Sequence, residues 1–201
     1  MSAVALGIYA AFMVSAFGLR VWVQYRRTGD FGLRVRSDGA GSLGGFNGAL
    51  LLFGVVLAGA APVAELLELT KPPAVADTPL LRGTGLALAL FGIVVTVVSQ
   101  YQMGDSWRVG VDKGEETTLI TVGLFRVMRN PIFTGMLLAT AGLVMMVPNL
   151  LSAAALTSLF VGLEVQVRRI EEPYLARVHG SRYLSYARVV GRFVPWVGRL
   201  Q

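Results

Sequence analysis

Residues 128–165 read MRNPIFTGMLLATAGLVMMVPNLLSAAALTSLFVGLEV. Between Arg129 at its start and Glu164 at its end there is no charged residue, and Pro148-Asn149 interrupts it once. Two apolar runs, about Ile132 to Val147 and Leu150 to Val167, joined by a turn pair, read as a helical hairpin whose open ends return to one face. A bilayer core about 30 Å thick takes roughly 20 apolar residues per helical crossing, and both runs are taken as spans. Asn130-Pro131 explains the start of the first, because Asn is a good N-cap and Pro is favoured at the first helical position.

Outward from the hairpin, three further apolar runs appear, at Ala3 to Val23, about Leu43 to Val63 and about Gly83 to Met103. With 54% hydrophobic and 15% charged residues and a mean hydropathy of +0.62, the chain is too apolar for an ordinary soluble domain. The expected fold is an all-α integral membrane protein with about five transmembrane helices, a hairpin near the C-terminus and a cytosolic amphipathic C-terminal helix. Residues 1–102 read as a three-helix transmembrane scaffold and 103–201 as a cofactor-binding catalytic region, together one integrated domain. The first run lacks the basic start of a signal peptide and is read as a retained helix.

The cations give the orientation. Arg26, Arg27, Arg34 and Arg36 follow the first run; Arg108, Lys113, Arg126 and Arg129 lie between the third and fourth; and the tail is arginine-rich from Arg168. Five crossings with the N-terminus outside put all three segments on the cytoplasmic face, in what is expected to be a bacterial inner (plasma) membrane. The net charge of +6 then belongs to membrane flanks and anionic headgroups, and no motif points to nucleic acid. Without cysteine, and with His179 the single histidine, no metal site is expected.

Two polar segments flank the hairpin, and their shared face lets residues 104–131 and 164–197 build one pocket. The helix start at Asn130-Pro131 carries free N–H groups that attract anions, and Arg129 beside it would strengthen that attraction. Glu164 closes an apolar run, where a carboxylate more often faces a polar cavity than lipid. Glu171 and Glu172 are neighbours and point about 100° apart on a helix, so one can face the pocket while the other pairs with Arg168 or Arg169. In the tail, Ile170, Tyr174, Val178, Tyr183 and Tyr186 alternate with arginines at roughly helical spacing, suited to the membrane interface. The long polar loop before the hairpin reads as a binding loop or a disordered one, and the β-branched stretch Thr117 to Val122 could lie extended across a ligand.

The stretches GLFRVMRNPIFTG (123–135), EEPYLARVHGSRYLSY (171–186) and GRFVP (191–195), in that order around a hairpin, resemble the isoprenylcysteine carboxyl methyltransferase family and its relatives among the membrane phospholipid methyltransferases. The family pattern runs Gly-x-aromatic, Arg-His-Pro-x-Tyr-x-Gly, hairpin, Glu-Glu, Gly-x-x-Tyr-x-x-Tyr and a Phe-x-Pro-like end. The resemblance covers about Met103 to Val197 and implies S-adenosyl-L-methionine as cofactor, bound on the cytosolic side. It maps cofactor contacts to Leu119, Ile120, Phe125, Asn130, Pro131, Phe133 and Glu171, with Arg129 adjoining them. Asn130 stands where the family has His, and Phe125 and Phe133 where it has Tyr. The family's substrate arginine is matched by Val167, with Arg168 beside it on another helix face. These departures bear on a prenylcysteine substrate more than on the cofactor.

Methyl transfer is an in-line displacement, so alignment and exclusion of water are the protein's main tasks. A carboxylate or thiol acceptor, small or lipid-like, needs no general base once ionised; an amine or alcohol would need one, and Glu164 is the first candidate, with Arg168 nearby. The alternatives are a reductase resembling sterol reductases, using NADPH, and a non-catalytic membrane scaffold.

Overall fold

The computed structural model describes residues 1–32, 42–107 and 118–200. Arg34, Arg36, Arg108, Lys113 and Thr117, and with them most of the polar loop, lie outside the described residues. Helices account for all the regular structure that is described, apart from an isolated parallel bridge between Met128 and Gly191.

The elements are α1 (Ser2–Thr28), α2 (Leu43–Leu66), α3 (Pro79–Ser106), α4 (Pro131–Met146), α5 (Leu150–Val165) and α6 (Glu172–Val189). A π-helical turn, Gln166–Glu171, makes α5 and α6 continuous. By length and composition α1, α2, α3 and the Leu150–Val189 rod are able to cross a membrane. Five crossings were expected, and among the described residues four helices meet that measure: α4 has 16 residues, about 24 Å at the α-helical rise. This Leu150–Val189 rod is 40 residues long and kinks at Gly180; the stretch up to the kink is about 45 Å, half as long again as a bilayer core. Its apolar part ends near Val167, so the charged turn and α6 lie beyond the spanning portion.

Local chemistry sets the boundaries. The Ser42 and Thr78 side chains cap α2 and α3 through the amides of Gly45 and Leu81. Asn149 opens α5 in a capping box with Ser152, and its Nδ2 also donates to the Ala61 carbonyl at 3.1 Å. That turn makes the hairpin: the last carbonyls of α4 and the first amides of α5 are satisfied within a few residues, where lipid would offer no partner.

Small residues fix the packing. Gly85, Ala89 and Gly92 of α3 face Gly142, Ala139 and Gly135 of α4, so close that a Cβ built on Gly142 would lie 2.5 Å from both the Ala89 amide nitrogen and the Gly85 carbonyl. In hydrocarbon such backbone contact drives association where the hydrophobic effect cannot. Gly54 and Gly162 likewise admit Leu159 and Leu51 between α2 and α5. Ala5 of α1 joins Ala89, Leu143, Met146 and Val147 in one buried cluster.

Long-range bonds show which ends coincide. Arg20 Nη2 of α1 donates to the Gly104 carbonyl at 2.5 Å, Asn47 Nδ2 of α2 donates to Gln166 Oε1 at 3.0 Å, and the Leu124 amide donates to Gln102 Oε1 of α3 at 2.8 Å. The ends of α1, α3 and α5 and the starts of α2 and α4 therefore share one end of the bundle. At the other end Glu65 of α2 receives Ser2 Oγ at 2.7 Å and Arg82 Nη1 at 3.3 Å.

Candidate functional site

At the shared end, residues 128–130 lie beside 191–193. The Arg129 amide donates to the Gly191 carbonyl at 2.8 Å and the Asn130 amide to the Arg192 carbonyl at 3.0 Å. Asn130 Nδ2 reaches that same carbonyl at 3.1 Å, and Thr134 Oγ1 donates to the Phe193 carbonyl at 2.7 Å. Pro131 does occupy the first helical position, but no side chain caps α4. The expected Asn130 cap is therefore corrected: the distant carbonyl takes the side chain that a local cap would have used.

Arg129 is also placed differently from the expectation. Its guanidinium is buried among protein acceptors: Nη1 donates to the Ala187 carbonyl at 2.6 Å and the Val190 carbonyl at 3.2 Å, and Nη2 to Glu172 Oε1 at 2.7 Å and the Gly198 carbonyl at 3.0 Å. It thus closes the carbonyl end of α6, where a cation is favoured, and both terminal nitrogens are committed before any anion arrives. Arg192 completes the cluster from the other side, with Nε 2.7 Å from Glu172 Oε1 and Nη2 3.0 Å from Oε2. Glu172 was expected to pair with Arg168 or Arg169; it bridges Arg129 and Arg192 instead, and its hydrogen bonds hold the Arg192 guanidinium still more firmly protonated.

Its neighbour Glu171 faces another way. The carboxyl of this half-buried residue is enclosed by protein and accepts from Gln166 Nε2 at 3.1 Å. Burial is the main reason it is pushed up from 4.5 to about 7; the Gln166 bond opposes the rise and the Glu172 charge adds to it. Gln166 links it onward to Asn47 of α2. Glu164 and Arg168, one turn apart on the more exposed side of the rod, are paired with each other.

The expected loop contacts divide. Leu119 is buried against Tyr183 and Ala187, and Phe125 is buried with its carbonyl receiving Tyr186 Oη at 2.5 Å. Burial holds the Tyr186 phenol up at about 12, partly offset by Arg129, so it remains a donor. Ile120 and Phe133 are half-buried. Segments 104–131 and 164–197 do meet, as their common face required. Two residues of the arrangement were not singled out from sequence, Arg192 and Thr134; Gly180, the glycine of the Gly-x-x-Tyr-x-x-Tyr pattern, takes a φ of 51° and ψ of −131° that kink α6. An arginine inside VVGRFVPWV was the available signal, since a lone charge among apolar residues implies a buried partner.

Residues 81–182 match the phospholipid methyltransferase family model. Two Arabidopsis thaliana proteins named protein-S-isoprenylcysteine O-methyltransferase, B and A, are 28% and 30% identical over 115 residues, covering 56% of this chain and 58% of each relative. A probable protein-S-isoprenylcysteine O-methyltransferase of Oryza sativa subsp. indica is 28% identical over 115 residues, 56% of this chain and 60% of the relative. The chain thus spans less than two thirds of their length, and these plant relatives lend no support to a bacterial membrane. The matched segment runs from α3 through the hairpin into α6, over half the chain and through both Glu171 and Glu172, so the chain belongs to the phospholipid methyltransferase family.

Proposed function

We propose that the chain is an S-adenosyl-L-methionine-dependent integral membrane methyltransferase acting on a small or lipid-like acceptor. Membership of the phospholipid methyltransferase family carries the reading, and relatives named for O-methylation of an isoprenylcysteine favour a lipid-like carboxylate. In this reading α4 also crosses the bilayer, giving five crossings with the N-terminus outside and the site on the cytosolic face. The interleaved packing of α3 with α4 and α2 with α5 supports one integrated domain, residues 1–102 forming a scaffold for 103–201.

The chemistry of Glu171 fits the cofactor. A carboxyl that burial keeps near its neutral point, bonded to an amide, gains most from a cationic ligand, and this one brings an ammonium and a sulfonium. When bound, the group supplies an electrophilic methyl. Glu171 would accept hydrogen bonds from its amino or hydroxyl groups, while Asn130, Pro131 and Phe133 at the start of α4, with Leu119 and Ile120 of the loop, would line the rest of its site. Phe125 and Phe133 offer ring faces. Arg129 acts through Glu172, holding α6 against α4 rather than touching the ligand. Glu164 is the proton acceptor for an amine or alcohol acceptor, and Arg168 orients a carboxylate.

S-adenosylhomocysteine should raise the thermal stability of the purified protein, and Glu171→Ala should abolish the rise. A clear NADPH shift with none from S-adenosylhomocysteine would overturn the reading. Methyl-labelled cofactor incubated with membranes then identifies the acceptor by which extractable molecule gains the label.

A further inference from the structure

Beyond α6 the chain makes a turn whose apolar side chains are mostly exposed among the described residues. The Val197 amide donates to the Val194 carbonyl at 3.2 Å and the Arg192 amide to the Val197 carbonyl at 2.7 Å, closing residues 194–197 into a tight finger. Trp196 takes a φ of 64°, a left-handed conformation that ordinarily falls to glycine. Val194, Trp196 and Val197 are 53%, 75% and 63% exposed.

The depth of this finger follows from one bond. Thr134 Oγ1, in the first turn of α4, donates to the Phe193 carbonyl, so the finger's base is level with the opening of an apolar helix rather than beyond it. That level is where tryptophan collects at membrane surfaces, with its ring among the headgroups. Arg188 and Arg199, both exposed, flank the finger, as suits anionic lipid. Its root is rigid as well: Arg129 Nη2 holds the Gly198 carbonyl, and the Leu200 amide donates to the Ala187 carbonyl at 3.0 Å.

We propose that Val194–Val197 is a membrane anchor, its apolar side chains set into the headgroup and upper acyl region of the bilayer around the bundle, with Arg188 and Arg199 on anionic headgroups. The anchor ties the bilayer surface through Arg192 to the Asn130 end of α4. It does not depend on the methyltransferase reading.

The chain has no cysteine, so Val194→Cys and Val197→Cys each accept a single nitroxide. Reconstituted in phosphatidylcholine–phosphatidylglycerol vesicles, both labels should collide with oxygen in preference to a water-soluble nickel chelate, as a label at lipid-facing Phe160→Cys does. Adding Trp196→Gly, which suits the backbone and preserves the fold, should lower that preference several-fold at Val194→Cys, and removing phosphatidylglycerol should lower it less. Chelate-dominated collisions at both positions would overturn the proposal. So would spin–spin broadening showing a second copy of the chain over the finger, or no response to Trp196→Gly.

Discussion

Arg129 Nη2 lies 2.7 Å from Glu172 Oε1, joining a residue two positions before α4 to the first residue of α6, with the two side chains only 2% and 11% exposed. Removing one partner strands the other charge in a poor solvent, so Arg129→Ala and Glu172→Ala should each cost roughly 3–5 kcal/mol. Arg129→Lys should recover little, because one ammonium cannot reach three carbonyls and a carboxylate set in a planar fork. Equilibrium unfolding in mixed micelles measures this, and a lysine variant of wild-type stability would contradict it.

The α3–α4 seam gives a second test. Gly142→Ala would place a methyl 2.5 Å from the Ala89 amide nitrogen and the Gly85 carbonyl, whereas a Cβ on Gly83 meets nothing within 4 Å. Overpacking should cost Gly142→Ala about 1–3 kcal/mol, while Gly83→Ala, on the open side of α3, should be neutral or stabilising by up to about 1 kcal/mol. The same unfolding assay separates them.

The hairpin could be read from Pro148-Asn149 because a turn within an apolar run has one economical solution, two helices with their open ends together. The meeting of the two polar segments followed from that topology alone. The fate of Arg129 did not: periodicity says where an arginine falls along the chain, not which carbonyls a segment some 60 residues later will offer it. Asn130 illustrates the same limit, since local capping chemistry was sound and a distant carbonyl at Arg192 still won. Arg192 itself lies beyond the matched segment, in a tail whose irregular backbone has no period to read.

The bend at Gly180 orients Tyr183 and Tyr186 toward Leu119 and Phe125. Its φ and ψ are open almost only to glycine, although a Cβ there would meet no atom within 4 Å. Gly180→Ala should therefore cost about 1–3 kcal/mol through backbone strain alone. Because the strain is relieved by straightening α6, it should also weaken the S-adenosylhomocysteine thermal shift. A variant with unchanged stability and shift would show that the bend is not required.

Glu171 makes the stability of the ligand-free protein depend on pH. Its carboxyl sits near 7 in the folded chain and near 4.5 when exposed, so between those values the native state holds a proton that the unfolded chain has released. The contribution is complete below 4.5 and is lost as pH rises through 7. Melting temperature should fall over that window, and Glu171→Gln, which keeps the shape without the titration, should flatten the fall. A cationic ligand at the carboxyl reverses the sign: it favours the ionised form, so S-adenosylmethionine should bind more tightly as pH rises through 7 and displace a proton below it. Calorimetry in two buffers of different ionisation enthalpy counts that proton. Proton release absent from Glu171→Gln would tie the ligand to this carboxyl, whereas equal release from both proteins would place it elsewhere.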